Sequence, residues 1–181
     1  MSTVTHLEMA ELEENLEEIR RSPRREGELS LIVRRPRSGE REVIDAGELS
    51  VAEGLVGDNW STRTPDVPLE PERQLTIMNS RVAGLLAQES ERWQLFGDQL
   101  YIDLELSEAN LPVGTRIELG EAVIEVTPID HTGCKKFAER FGVDAVKFVS
   151  TAVGKEMRLR GMYAKVVQPG LIRAGDVVRK L

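Results

Sequence analysis

The polar and apolar positions of this chain change period several times, and each change marks an element. Met9, Leu12, Leu16 and Ile19 recur on one helical face, and Thr5 and Glu8 have capping-box spacing, which predicts an amphipathic helix over residues 6–20. Pro23 ends it, and Arg20, Arg21, Arg24 and Arg25 gather where cations complement the helix dipole. From Glu28 to Arg35 the period falls to two, with Leu29, Leu31 and Val33 on one face. Pro36 to Gly39 then turns the chain into a second strand at Arg41 to Ile44. Gly54 to Trp60 and the proline-rich Ser61 to Pro71 read as loops. Strand character returns at Arg73 to Met78, after which Asn79 or Ser80 caps a helix through Leu85 and Leu86 toward Trp93. Leu100, Ile102 and Leu104 alternate with polar neighbours, and residues 115–119 and 122–127 form a hairpin across Gly120-Glu121. Helix-like sequence runs from Lys136. Val143, Val146, Val149 and Val153 approximate a stripe broken at Gly154, and strands at 162–167 and 176–181 flank Pro169-Gly170.

About seven short strands with helices at the N-terminus and around residue 140 predict a mainly β fold with peripheral helices, a curved or closed antiparallel sheet. The alternation of a doubly wound sheet is missing, as is any glycine-rich dinucleotide or phosphate-loop fingerprint. A length of 181 residues suits one well-cored domain, with residues 1–27 as an N-terminal helix and linker and 28–181 as the barrel. A net charge of −7 argues against non-specific nucleic-acid binding but leaves room for a local cationic pocket. No apolar run approaches a membrane span, and the N-terminus is acidic and amphipathic where a secretory signal is basic and then apolar. A cytoplasmic protein is expected.

Chemistry concentrates in Ile129-Asp130-His131-Thr132-Gly133-Cys134-Lys135-Lys136-Phe137, which holds the chain's single cysteine and one of its two histidines. One cysteine forms no internal disulfide, and with His6 and His131 alone no usual Cys/His zinc site can be assembled. Strand-like sequence before it and helix-like sequence after it place Gly133-Cys134 at a strand-to-helix turn. A thiol there, beside Lys135, Lys136 and His131, is expected to have a lowered pKa and a larger thiolate fraction, the form that attacks sulfur or ligates a soft metal. The plainer reading is a small buried hydrophobe, although such thiols are more often flanked by apolar residues.

The order of short motifs adds to this. Gly57-Asp58, Arg73-Gln74, Gly97-Asp98-Gln99-Leu100, Asn110-Leu111-Pro112, Gly114-Thr115, His131-Thr132-Gly133-Cys134 with Lys136-Phe137, Arg160-Gly161-Met162-Tyr163-Ala164 and Gly175-Asp176 together resemble the MOSC domain, named for the C-terminal part of molybdenum-cofactor sulfurases. The resemblance covers roughly residues 28–181 and implies a MOSC-type β-barrel with peripheral helices, a functional cysteine at Cys134, and a link to sulfur or the molybdenum-pterin cofactor. Members often carry a basic residue after the Gly-Asp pair, where this chain has Asn59-Trp60. No pyridoxal-phosphate site is expected in this chain, so a cysteine desulfurase or other sulfur donor would be a separate partner.

These readings set a candidate site. Cys134 either accepts a sulfane sulfur for delivery to a molybdoenzyme or molybdenum-cofactor acceptor, or ligates molybdenum directly. Lys135, Lys136, Arg73 and Arg160 are the candidate cations for the cofactor, with exposed surface residues as the alternative. Asp58 and Asn110 either touch the ligand or bond their own loops, the loop role being favoured for Asp58. His131 tunes the thiol, carries a proton, or is structural. Competing functions are a molybdenum-dependent reductase of N-hydroxylated compounds and a non-catalytic interaction domain with an inert cysteine.

Overall fold

The computed structural model describes residues 3–181. Its strands are β1 (Glu26–Arg34), β2 (Glu42–Ile44), β3 (Ala46–Ser50), β4 (Gly54–Leu55), β5 (Leu75–Asn79) and β6 (Leu100–Ile102), then β7 (Arg116–Leu119), β8 (Ala122–Val126), β9 (Met162–Gln168), β10 (Gly170–Arg173) and β11 (Val177–Lys180). The chain is mainly β, and seven strands close a barrel in the order β11-β7-β8-β9-β5-β6-β1, with β1 returning to β11 through Glu26 opposite Arg179. Closure leaves the barrel no free edge. Among the described residues only the β5–β6 pair is parallel, and a helical crossover makes that connection; β2 extends the sheet from β1, and β10-β3-β4 form a second small sheet.

Inward positions are aliphatic. Leu75, Ile77, Leu100, Ile117, Ile124 and Ala164 are among the fully or almost fully buried residues of one cluster, which Leu49, Leu55 and Ile172 of the small sheet join. Long β1 departs from simple alternation. A register shift between Leu29 and Leu31 puts Leu29 and Ile32 inside the barrel, while Leu31 and Val33 join a second cluster outside it. The expected common face of Leu29, Leu31 and Val33 is thus split by a bulge, which adds one residue to a strand and turns the next side chain over.

The second cluster lies between Val33, Met78 and Tyr101 on the barrel's outer wall and the helices α1 (Met9–Glu14), α2 (Leu16–Arg20), α3 (Ser80–Ala87), α4 (Lys135–Phe141) and α5 (Val143–Ser150); α6 (Ala152–Glu156) follows α5. Leu12 and Ile19 are buried in it, so the N-terminal helices pack on their own barrel. The expected helix 6–20 is interrupted at Asn15, and its cap forms later than expected: the Glu8 N–H donates to the Glu11 carboxylate at 2.8 Å. Strand β1 already begins at Glu26, inside the segment read as a linker. Asn79 caps α3, accepting from the N–H groups of Arg81 and Val82. Phe137 and Phe141 of α4 meet Phe96 with ring centroids 5.7 and 3.9 Å apart, which fastens α4 to the 95–97 turn. No helix among the described residues is long and apolar enough to cross a membrane.

Candidate functional site

Thr76 of β5 stands opposite Tyr163 of β9, and both point away from the barrel interior that Leu75, Ile77, Met162 and Ala164 fill. Strand alternation thus sets a polar patch on the outer wall. Four segments wall it in: residues 35–41 after β1, residues 59–64 after β4, the 95–97 turn before β6, and the loop from Thr127 that leads to α4. The resulting cleft of about 510 Å³ is lined by eight arginine and lysine side chains and a single carboxylate, Glu40. A protein of net charge −7 has therefore concentrated positive charge at one place.

Cys134 is on the rim. It caps α4 in an extended conformation (φ −131°, ψ 178°), its carbonyl accepts the Ala138 N–H at 3.1 Å, and its side chain is exposed. The buried Phe137 in the first turn of α4 holds this end of the helix down, so the exposed thiol sits on a fixed element. Of the other candidates, Lys136, Arg73, His131 and Arg160 line the same cleft. Lys135 does not; it is 92% exposed and faces Glu139 at 4.0 Å.

Behind His131 lies a buried charge pair. Asp98 is fully buried and takes a 2.7 Å bond from Arg160 Nη1, while its other oxygen stands 3.6 Å from His131 Nδ1. The Arg160 guanidinium covers the Phe137 ring at 5.0 Å, and His131 packs on Tyr163 at 4.8 Å. Gly161 makes this possible. At φ +115° it occupies backbone space that favours glycine, and a Cβ there would collide with the Ile77 carbonyl and come 3.3 Å from His131 Nδ1. Burial lowers the His131 pKa to about 4; Asp98 opposes that, while Arg160, Arg35 and Arg73 reinforce it. The imidazole is neutral at neutral pH, so it supplies no positive charge to the thiol and can still accept or donate through its nitrogens.

Asp58 lies outside the cleft lining. Its carboxylate takes bonds from Arg35 Nε and Nη2 at 2.9 and 2.8 Å, from the Arg35 and Trp60 N–H groups, and from Gln99 Nε2 at 3.0 Å. With its acceptor sites so filled, Asp58 positions Arg35, and Gln99 links it onward to Thr76. Asn110 is remote from the cleft: its amide donates to the Arg24 and Glu105 carbonyls, tying loops together. Sequence reading missed Arg35, Arg41, Arg140 and the supporting Asp98. Asp98 was within reach as the acid of Gly97-Asp98-Gln99-Leu100; the three arginines carry no local signal.

Among the described residues, the buried side-chain polar atoms without a hydrogen-bond partner are Arg41 Nε, Asp98 Oδ1, His131 Nδ1 and Arg160 Nε. Three of these residues line the cleft, and the fourth pairs with one of them. Buried polar groups are nearly always paired, so a cluster of exceptions at one cleft is the mark of a site completed by a ligand. Unpaired cationic donors and a free soft thiol are the groups an anionic, metal-bearing molecule needs.

A closed β-barrel with a cationic cleft and one free thiol on its outer wall is the class these features define. The MOSC domain model matches residues 64–179, and the chain belongs to that family, which is associated with molybdenum-cofactor binding and sulfur-related function. Similar solved structures include the YuaD protein from Bacillus subtilis, at 15% identity over 84% of this chain and 94% of that one, with a TM-score of 0.62. YiiM from Escherichia coli is 22% identical over 85% of this chain and 69% of that one, with a TM-score of 0.55. YiiM from Geobacillus stearothermophilus is 16% identical over 86% and 75%, with a TM-score of 0.57. At such identities the likeness concerns the fold. No curated protein sequence matched the chain.

Proposed function

We propose that the cleft holds an anionic molybdenum-pterin cofactor with Cys134 as its soft ligand, and that the same thiol can carry sulfur to a molybdenum-cofactor or molybdoenzyme acceptor. The observation that carries this reading is the exposed thiol at the rim of a cleft whose donors Arg160 Nε and Arg41 Nε are unpaired. When bound, the cofactor would supply a redox-active metal able to take a thiolate. Arg160, Arg73 and Lys136 would neutralise its anionic groups, with Asp98 and the Phe137 ring fixing the guanidinium of Arg160. His131, neutral at the back of the cleft, is the group available to move a proton.

In the sulfur-carrying role the Cys134 thiolate attacks the outer sulfur of a donor enzyme's cysteine persulfide. The new bond joins Cys134 to that sulfur, the donor's sulfur–sulfur bond breaks, and the donor leaves as a thiol after taking a proton; no external oxidant is needed. Thiolate fraction governs the rate.

Mass spectrometry after incubation with a cysteine desulfurase and cysteine tests the relay. A one-sulfur adduct on Cys134, absent from Cys134→Ser, is the expected result. An unmodified Cys134 under conditions that load another acceptor would remove the sulfur-carrying role, and alkylation at the slow rate of a sealed thiol would remove Cys134 from either role.

A further inference from the structure

A second cavity, of about 330 Å³, shares His131 and Arg160 with the cleft as a common wall. The 127–132 loop forms one side of it, and the 154–162 segment, which runs from α6 into β9, forms another. Glu108 and Val113, from the loop before β7, complete the lining. Val149 and Met162 are buried there, Ile129 is half-buried, and the exposed Val113 extends the apolar surface. Cys134, Lys136 and Arg140 border the cleft and not this cavity.

Charges of both signs surround this space without pairing. Of the five charged side chains that line it, only Arg160 forms an ion pair among the described residues, with Asp98. Glu108, Asp130 and Lys155 are exposed, and Arg158 is half-buried. Arg158 is the fixed member. Its Nη1 donates to the Leu111 and Leu106 carbonyls at 2.7 and 3.2 Å, and among the described residues no acceptor takes Nε or Nη2. It stands in left-handed backbone, φ +50°, which residues with a β-carbon seldom adopt. Burial lowers its pKa, while Glu108 and then Asp130 oppose that, so both acids act on the guanidinium through space without reaching it. Two cations and two carboxylates held apart around an apolar floor fit a molecule that itself carries both signs.

We propose that this cavity binds a free α-amino acid with an aliphatic side chain. The carboxylate would meet Arg158 and Lys155, the ammonium group Asp130 and Glu108, and the side chain Ile129, Val149 and Met162. A carboxylate matches the fork of a guanidinium, and the two charges of an α-amino acid stand close enough together for a cavity at the small end of ligand sites. The site is separate from the cofactor reading, and the cofactor-free chain is sufficient to test it.

The test is calorimetric titration of the full chain with L-leucine, with L-leucinamide, which lacks the carboxylate, and with 4-methylpentanoate, which lacks the ammonium group. Wild type should bind leucine at least about tenfold more tightly than either analogue, each having lost a charge-assisted contact. Arg158→Gln should weaken leucine binding at least about tenfold, and Asp130→Asn and Lys155→Gln, on exposed side chains, about two- to fivefold each. Arg116→Gln, on β7 outside the cavity, should match wild type. Absence of binding by wild type, or equal affinity for leucine and either analogue, would overturn the proposal. Arg158 also holds the 106–111 loop; if its variant fails to fold, wild-type affinity in both Asp130→Asn and Lys155→Gln overturns the proposal in its place.

Magnetic resonance locates the ligand. Leucine should shift the methyl resonances of Ile129, Val149 and Met162 and leave in place those of Leu95, which lines the cleft alone. Shifts at Leu95 with none at Val149 would put the amino acid in the cationic cleft and sink the assignment.

Discussion

Leu75, Thr76 and Ile77 are consecutive residues of one strand, yet they serve two regions built on opposite terms. Leu75 and Ile77 join a buried cluster of Leu, Ile, Val, Ala and Met side chains. Thr76 faces a cleft where three lining residues leave a buried polar atom unpaired. That cluster gains by excluding water. The cleft retains cations, a neutral imidazole and a thiol that folding does not require. The comparison teaches that stability and chemistry are separated here by one residue of strand period, with the buried pair Asp98–Arg160 behind the cleft.

Breaking that pair should have the largest effect. Asp98→Ala leaves Arg160 unpaired in a buried position and should cost roughly 3–5 kcal/mol by urea unfolding, with loss of ligand retention as well. A cost under about 1 kcal/mol would mean that the pair behaves as an exposed one. Ile117→Ala, on the barrel side away from the cleft, sharpens the contrast. It should cost about 2–5 kcal/mol yet leave ligand retention unchanged in the folded protein. A matching loss of affinity would show that the two regions are coupled.

His131 comes next. Its imidazole titrates near 6.5 when unfolded and at about 4 in the folded chain. As pH falls through this window the unfolded chain binds the proton first, so stability present above pH ~6.5 is lost toward pH ~4. The loss attributable to His131 approaches the order of 3 kcal/mol, and the wild-type minus His131→Asn difference across pH isolates it. Ring-proton shifts in magnetic resonance that titrate near the unfolded value would contradict the burial argument. The smallest effect belongs to Lys135→Ala, which should change stability by less than about 0.5 kcal/mol and leave ligand affinity intact, because that side chain is 92% exposed and outside the cleft. Lys136→Ala should weaken binding of an anionic ligand, measurably and in a salt-dependent way.

Much of the barrel was legible because its strands obey period two: the hairpin β7–β8 and the strands β5, β6, β9 and β11 fall close to where alternation puts them. The bulge in β1 was not, because a register shift is decided by the partner strand and leaves no mark in a run such as Leu29 to Val33. Strand β4 has two residues, so no window could hold its period, and β3 and β10 carry Gly47 and Gly170 at their starts, where glycine reads as turn. Within the site, Cys134 and His131 stood out by scarcity. Asp58 and Asn110 also stood out, as polar residues in turns, but their hydrogen-bonding capacity goes to Arg35 and to loop backbone. Arg41 and Arg140 were invisible as a pair: one follows a turn after β1, the other ends α4, and only the 95–97 turn brings them together.

The most direct test of the central claim is the molybdenum and pterin content of the protein purified from molybdenum-replete cells, measured for wild type and for Cys134→Ser. The expected result is metal and pterin in comparable amounts with wild type and a drop to background in the variant, with unchanged folding. Metal-free, pterin-free wild type, or equal contents in the two proteins, would contradict a cofactor held through that thiol.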